Sequence, residues 1–242
     1  MPISARYKQN MEKGGITPEI QEKLNQTGVI VMGAGGLGSG VLMNLAALGI
    51  GHIKIVDDGV VQEEDLNRQL IHKCENIGRG RVISARNWIH EFNPDIKIEI
   101  EKTRLYELNY LSIIEGYNII VDCLDSLESK FLLNDIAYRH KKVLIYGETQ
   151  AFSGRVTTIC PPKTGCLACV MEKPKIFRKE PHATIAPVIS TISAIMAQEV
   201  LKLVGGIGEP LFNQILIYNA LKSDFKIYDY LKKPKCKVCS EV

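Results

Sequence analysis

Long runs of like charge are missing from this chain of 242 residues, and its 30 basic and 27 acidic side chains leave a net charge of only +3. That balance is too small to demand a nucleic-acid partner, and no charged tail offers one. Nor is there an apolar run of the roughly 20 residues that a bilayer-spanning helix needs. The longest mainly apolar stretch, 183–197, carries Pro187 with several serines and threonines and reads as a buried helix rather than a membrane span. Segment 1–10 is polar and basic with no apolar core behind it, so no signal peptide is expected and the chain is assigned to the cytoplasm. Internal repeats and low-complexity segments are lacking too. The cysteines are seven in number, and an odd count in a reducing compartment argues against a disulfide framework.

What is present first draws attention in the C-terminal third. Cys166-Leu167-Ala168-Cys169 and Cys236-Lys237-Val238-Cys239 form two C-x-x-C pairs. Two such knuckles supply the four thiolates of a tetrahedral Zn²⁺ site and tie remote segments together. Such a site is expected to be structural, because four protein ligands leave no open position for water. Redox or disulfide pairing is the alternative, although redox C-x-x-C motifs come singly near a first βαβ unit.

With 45% hydrophobic residues the chain can bury a full core, and one domain is expected over 1–242. Thr17 as N-cap and Pro18 at the first helical position announce a short helix within an arm and helix spanning 1–27. Strands are then expected at 28–32, 52–56, 96–100, 117–123 and 143–146, with helices at 41–48, 82–91 and 127–139. This alternation implies a Rossmann-like, doubly wound α/β sheet over 28–150, parallel and covered on both faces. Over 151–242 the pattern changes to a strand at 155–160 and a hairpin at 214–218 and 224–228, expected to continue the sheet antiparallel at one edge. An irregular stretch, 161–181, carries the first C-x-x-C.

Gly33-Ala34-Gly35-Gly36-Leu37-Gly38 matches G-x-G-x-x-G between a strand and a helix, and Asp57 ends the next strand at the separation of a ribose-binding acid. Backbone N–H groups of such a loop approach phosphate closely at a helix N-terminus. The motif fits NAD as well as ATP, so an NAD-dependent oxidoreductase stays open at this point. Arg68, in Glu64-Asp65-Leu66-Asn67-Arg68-Gln69, favours triphosphate chemistry, in which cationic charge meets developing phosphate charge. A lone surface arginine is the plainer reading. Arg81, opening the following helix, is a second cation within reach. Asp122-Cys123-Leu124-Asp125-Ser126 lies at the carboxyl end of the fourth strand, where open α/β sheets bind ligands. Carboxylates there need a counter-charge against phosphate, so Asp125 is a candidate Mg²⁺ ligand and Asp122 a second one. Helix capping by Asp125 or Ser126 is compatible with this.

Taken together, these segments resemble the MoeB/ThiF/HesA family, relatives of the ubiquitin-activating enzymes. The resemblance runs through Arg6-Tyr7, the 33–39 loop, Asp57, Leu66-Asn67-Arg68-Gln69, Asp122-Cys123-Leu124-Asp125, Ala186-Pro187 and both C-x-x-C pairs. It implies an ATP-dependent adenylyltransferase that activates the C-terminal carboxylate, usually of a Gly-Gly end, of a small ubiquitin-like sulfur carrier protein, or alternatively of a biosynthetic peptide. ATP, Mg²⁺ and Zn²⁺ are the implied cofactors. Gly33, Gly35, Gly36, Gly38, Asp57, Asp65, Asn67, Leu124 and Ser126 would line the ATP site. Arg68, Arg81 and Asp125 would act in catalysis, Arg68 from the neighbouring subunit of a homodimer.

Departures from the family pattern are also visible. Arg81 stands where lysine is usual, Gln9 where the arm carries a second arginine, Asp65 where asparagine is usual, and Gly59 where an acid follows Asp57. These substitutions keep a nucleotide-binding scaffold without turnover among the readings. Segment 171–185 has no cysteine, and His182 is not a replacement nucleophile, so a separate sulfur donor protein is expected. Among the unpaired cysteines, Cys123 and Cys160 read as packed groups. Cys74, near Lys73 and His72, is a reserve thiol.

Overall fold

The computed structural model describes residues 4–173 and 184–240; most of the cysteine-free segment 171–185, His182 included, lies outside them. A short arm helix, α1 (Lys8–Glu12), precedes α2 (Pro18–Gln26), whose first turn is capped by the Thr17 hydroxyl accepting from the Ile20 N–H at 3.3 Å. The arm is pinned by Tyr7, which is buried and accepts a hydrogen bond from Asn93 Nδ2 at 2.8 Å.

The chain then runs β1 (Gly28–Met32), α3 (Gly36–Leu48), β2 (His52–Val56), α4 (Arg81–Phe92), β3 (Lys97–Glu101), α5 (Tyr110–Ile114), β4 (Ile119–Asp122), α6 (Leu127–Arg139) and β5 (Val143–Gln150). It continues through β6 (Ser153–Ile159), α7 (Leu167–Val170), α8 (Ala186–Gly205), β7 (Gln214–Asn219) and β8 (Asp224–Asp229). All eight strands form one sheet in the order β3-β2-β1-β4-β5-β6-β7-β8. Pairing is parallel from β3 to β5 and antiparallel from β5 to β8. The expected parallel half with an antiparallel continuation is therefore present.

Alternation along β1 sorts the core into two layers. Val29 and Val31 face α3, α4 and α8 with Leu42, Leu45, Ile89 and Ile192; Ile30 and Met32 face α6 with Phe131, Ile136 and Tyr138. Residues 186–197 of the apolar stretch noted above lie in α8, which packs on α3, β5 and β6. By length and composition it is the one helix among the described residues that could cross a membrane, and half of it is buried inside the protein. That is the position of a core helix.

Candidate functional site

Strand order fixes where a ligand can enter. The chain moves outward from β1 to β3 and then returns to the other side of β1 with β4, so a crevice opens at the carboxyl ends of β1 and β4. The glycine loop follows β1, and Asp122 to Ser126 follow β4. At Gly33 the backbone has φ +101°, and a Cβ there would stand 2.6 Å from the Cys123 carbonyl oxygen. At Gly38 it would stand 2.0 Å from the Gly33 carbonyl oxygen. Larger residues at either point would push the loop off the β4 turn. Gly35 is the N-cap of α3 and Gly36 its first residue, so the unpaired N–H groups of the first turn belong to the loop, as anion binding requires.

Asp57 braces this loop. One carboxylate oxygen accepts from the Ala34 N–H at 2.8 Å and the other from the Gly59 N–H at 2.7 Å. Each oxygen keeps acceptor capacity for a ribose hydroxyl. Sequence reasoning missed a second brace, His72. It is buried, with Nε2 2.9 Å from the Ala34 carbonyl oxygen and Nδ1 2.8 Å from Ser84 Oγ. The carbonyl can only accept, so Nε2 carries the proton; the Ser84 hydroxyl itself donates to Asn76 Oδ1 at 3.0 Å. Burial holds the imidazole below its usual pKa, against the opposing pull of the Ala34 carbonyl.

Asp65, where asparagine is usual, is enclosed by partners. Its side chain is 3% exposed. One oxygen accepts from Gln69 Nε2 at 2.7 Å and Arg68 Nη2 at 3.2 Å; the other accepts from Arg81 Nη2 at 2.8 Å and the Gln62 N–H at 3.1 Å. Its negative charge is thus spent on the two arginines. Arg68 keeps an exposed flank and also donates to the Glu64 carbonyl and Asn67 Oδ1. A recess of about 490 Å³ adjoins it, lined by Glu64, Asn67, Arg68, Ala151, Phe152, Thr184 and Ile185. Arg6 lies elsewhere, 5.5 Å over the Phe92 ring at the far end of α4 from Arg81.

The two carboxylates after β4 are unlike each other. Asp122 is fully buried, and one oxygen takes both the Leu124 N–H at 3.0 Å and Lys130 Nζ at 3.2 Å. Lys130 also donates to the Gly147 carbonyl at 2.8 Å and lies 5.0 Å over the Tyr146 ring. The counter-charge that the sequence reading gave Asp122 through a metal is supplied by Lys130, a residue that reading did not single out. Burial still raises the Asp122 pKa, only partly opposed by Lys130. Asp125 is exposed. A single exposed carboxylate beside a phosphate loop fits Mg²⁺, which binds through one or two carboxylates plus phosphate oxygens and keeps waters. Ser126 caps α6, its hydroxyl accepting from the Ser129 N–H at 3.2 Å.

The four paired cysteines meet under the other face of the sheet. All are buried, and their sulfurs lie within 4.8 Å of one another. Cys166 and Cys236 Sγ are 3.6 Å apart, and Cys169 and Cys239 Sγ 3.4 Å. A disulfide needs about 2.05 Å, whereas four sulfurs about 2.3 Å from a tetrahedral Zn²⁺ stand about 3.8 Å apart. The set therefore fits zinc. Burial opposes ionisation of Cys236, but N–H groups of Val238 and Cys239 outweigh it and bring this thiol down to about 7. Of the remaining cysteines, Cys123 is buried, Cys160 partly so, and Cys74 exposed.

Comparison with known proteins agrees with this geometry. The chain is 33% identical to a sulfur carrier protein adenylyltransferase of Thermus thermophilus, covering 98% of this chain and 90% of that one. It is 31% identical to the SAMP-activating enzyme E1 of Haloferax volcanii, covering 98% and 88%. Among solved structures, MccB of E. coli with ATP superposes with a TM-score of 0.87 at 23% identity, over 98% of this chain and 74% of that one, a likeness of fold. The ThiF family model matches residues 7–238, so the chain belongs to the ThiF family.

Proposed function

We propose that this protein is an ATP-dependent adenylyltransferase acting on the C-terminal carboxylate of a small ubiquitin-like sulfur carrier protein. The observation that carries the reading is the ThiF match along nearly the whole chain, with relatives named as adenylyltransferases, coinciding with phosphate-binding elements gathered at one crevice. The glycine loop and the α3 N-terminus would take the phosphates, Asp57 the ribose, and Leu124, Ser126 and Asn67 would border the nucleotide. Arg81 and Arg68 would meet negative charge developing on the phosphates. Bound at Asp125, Mg²⁺ would offset the charge of the phosphate oxygens. The carrier carboxylate attacks the α-phosphorus, the new C–O–P linkage forms, the bond between α- and β-phosphates breaks, and pyrophosphate leaves. Adenylate is the chain's end product in this scheme, and sulfur arrives from a separate donor protein.

A homodimer in which Arg68 serves the neighbouring site is part of the proposal, supported by the exposed flank of Arg68 and the recess beside it. A cytoplasmic, reducing setting is part of it too, since zinc binding needs free thiols. Complementation tests the assignment. Arg68→Ala and Asp125→Ala homodimers should each be inactive in ATP–pyrophosphate exchange, and mixing them should restore exchange, because one composite site in each heterodimer is intact. Verified subunit exchange without recovery would remove the trans assignment; exchange in neither variant nor wild type, whatever carrier is offered, would remove adenylation.

A further inference from the structure

One carboxylate holds two cations, Arg81 beside the glycine loop and Arg68, the residue proposed to serve the neighbouring site. Asp65 uses four acceptor positions: two guanidinium groups, the Gln69 amide and the Gln62 backbone. Arg81 is pressed into the loop by this grip. A Cβ at Gly35 would lie 4.0 Å from Arg81 Nη1, and one at Gly59 would lie 3.0 Å from it and 3.0 Å from Asp57 Oδ1. The guanidinium therefore occupies the space between the glycine loop and the turn after β2. Arg81 Nε is buried and has no partner, so among the described residues Asp65 is the one charged group bonded to this side chain. Other titratable groups facing the guanidinium are Asp57 and His72, whose imidazole burial holds below its usual pKa.

We propose that Asp65 is a positioning residue of the nucleotide site, fixing the Arg81 guanidinium against the glycine loop and tying Arg68 to the same anchor. It touches no reacting atom; it acts on the nucleotide through Arg81. Two effects of removing it oppose each other. Loss of a negative charge near the phosphates would strengthen anion binding, whereas release of the guanidinium would weaken it. The carboxylate is already neutralised by two cations at 2.8 and 3.2 Å, so the loss of order decides. Asparagine offers one acceptor oxygen and cannot serve both arginines.

The proposal rests on the adenylation reading, and its test uses binding rather than turnover so that the two can fail separately. Affinities of a non-hydrolysable ATP analogue and of AMP are measured by calorimetry for wild type, Asp65→Asn, Arg81→Ala and the double variant. Asp65→Asn is expected to weaken the triphosphate analogue at least tenfold and AMP less than twofold. In the Arg81→Ala background the same change should cost less than twofold, because its route is already lost. Equal weakening of AMP and the analogue would show a merely structural role and overturn the proposal. Tighter analogue binding, or losses that add in the double variant, would overturn it as well. Absence of pyrophosphate exchange in wild type would defeat the adenylation reading alone.

Discussion

The two halves of the sheet are held together by different physics. From β1 to β5 the strands are parallel, and β1, β2, β4 and β5 are largely buried between helical layers. From β6 to β8 they are antiparallel, and the outermost strand leaves Phe225, Ile227 and Tyr228 about half exposed. The first half can rest on its core. The second half has one packed face and an edge, and four cysteines fasten it to α6 through the cluster beneath the sheet. The proposed nucleotide site lies in the parallel half, and the candidate zinc site joins α7 to the C-terminal segment beneath the sheet.

The largest effect that would break this contrast is removal of zinc. Cys236→Ser or chelation should lower the unfolding temperature steeply, because the bound metal contributes only to the folded state. The stabilisation is bounded by the roughly 10–16 kcal/mol known for structural zinc in small peptides. One zinc per chain is the expected metal content. Protein purified without zinc at full stability would show that the antiparallel half stands unaided.

Next comes the buried pair in the parallel half. Lys130→Met leaves Asp122 charged, buried and alone with the Leu124 N–H, which should cost about 3–5 kcal/mol in urea unfolding. Asp122→Asn added to Lys130→Met should recover most of that loss. A neutral single variant would mean that the half tolerates an unpaired charge at its switch point.

Asp125→Ala should separate activity from stability. The residue is exposed, so unfolding should change by less than about 0.5 kcal/mol, while exchange with pyrophosphate falls at least 100-fold. Retained exchange would discard the Mg²⁺ assignment.

The smallest effect is a pH dependence. Burial holds the folded pKa of His72 below the ordinary imidazole value of about 6.5, so the unfolded chain binds its proton first as pH falls. Its stabilising contribution is complete above pH 6.5 and is lost as pH falls through the lower, folded value. Unfolding temperature should decline on that acid side, and His72→Gln should flatten the decline while lowering the plateau. An unchanged slope in the variant would assign the acid sensitivity to other groups.

Much of this was legible in the chain because it rested on local signals. Apolar runs followed by glycine gave the parallel strands, and Ser126 and Thr17 gave helix starts. Paired C-x-x-C spacing gave the cluster, since a metal set leaves its ligands in the sequence. The errors share a cause in tertiary pairing. β5 runs on to Gln150 because Glu148, in its polar tail, is bonded to Tyr146 and Arg155 at 2.6 and 2.7 Å; composition alone ended the strand at 146. α3 starts at Gly36, inside the glycine motif, because a close-packed helix overrides glycine's poor propensity. Helices α5 and α7 are single turns without side-chain caps, and nothing local announced them. The burial of Asp65 and Lys130 was not foreseen because charged residues ordinarily face water. Their partners, Arg81 and Asp122, lie 16 and 8 residues away.

Transfer of adenylate to a carrier's terminal carboxylate is the step on which the proposed function stands. Intact-mass spectrometry measures it directly on a Gly-Gly-ended carrier incubated with the protein, ATP and Mg²⁺ and no sulfur donor. A carrier heavier by one adenylate, with none formed by Asp125→Ala, is the predicted result. An unmodified carrier beside consumed ATP, or adenylate lodged on the protein itself, would contradict it.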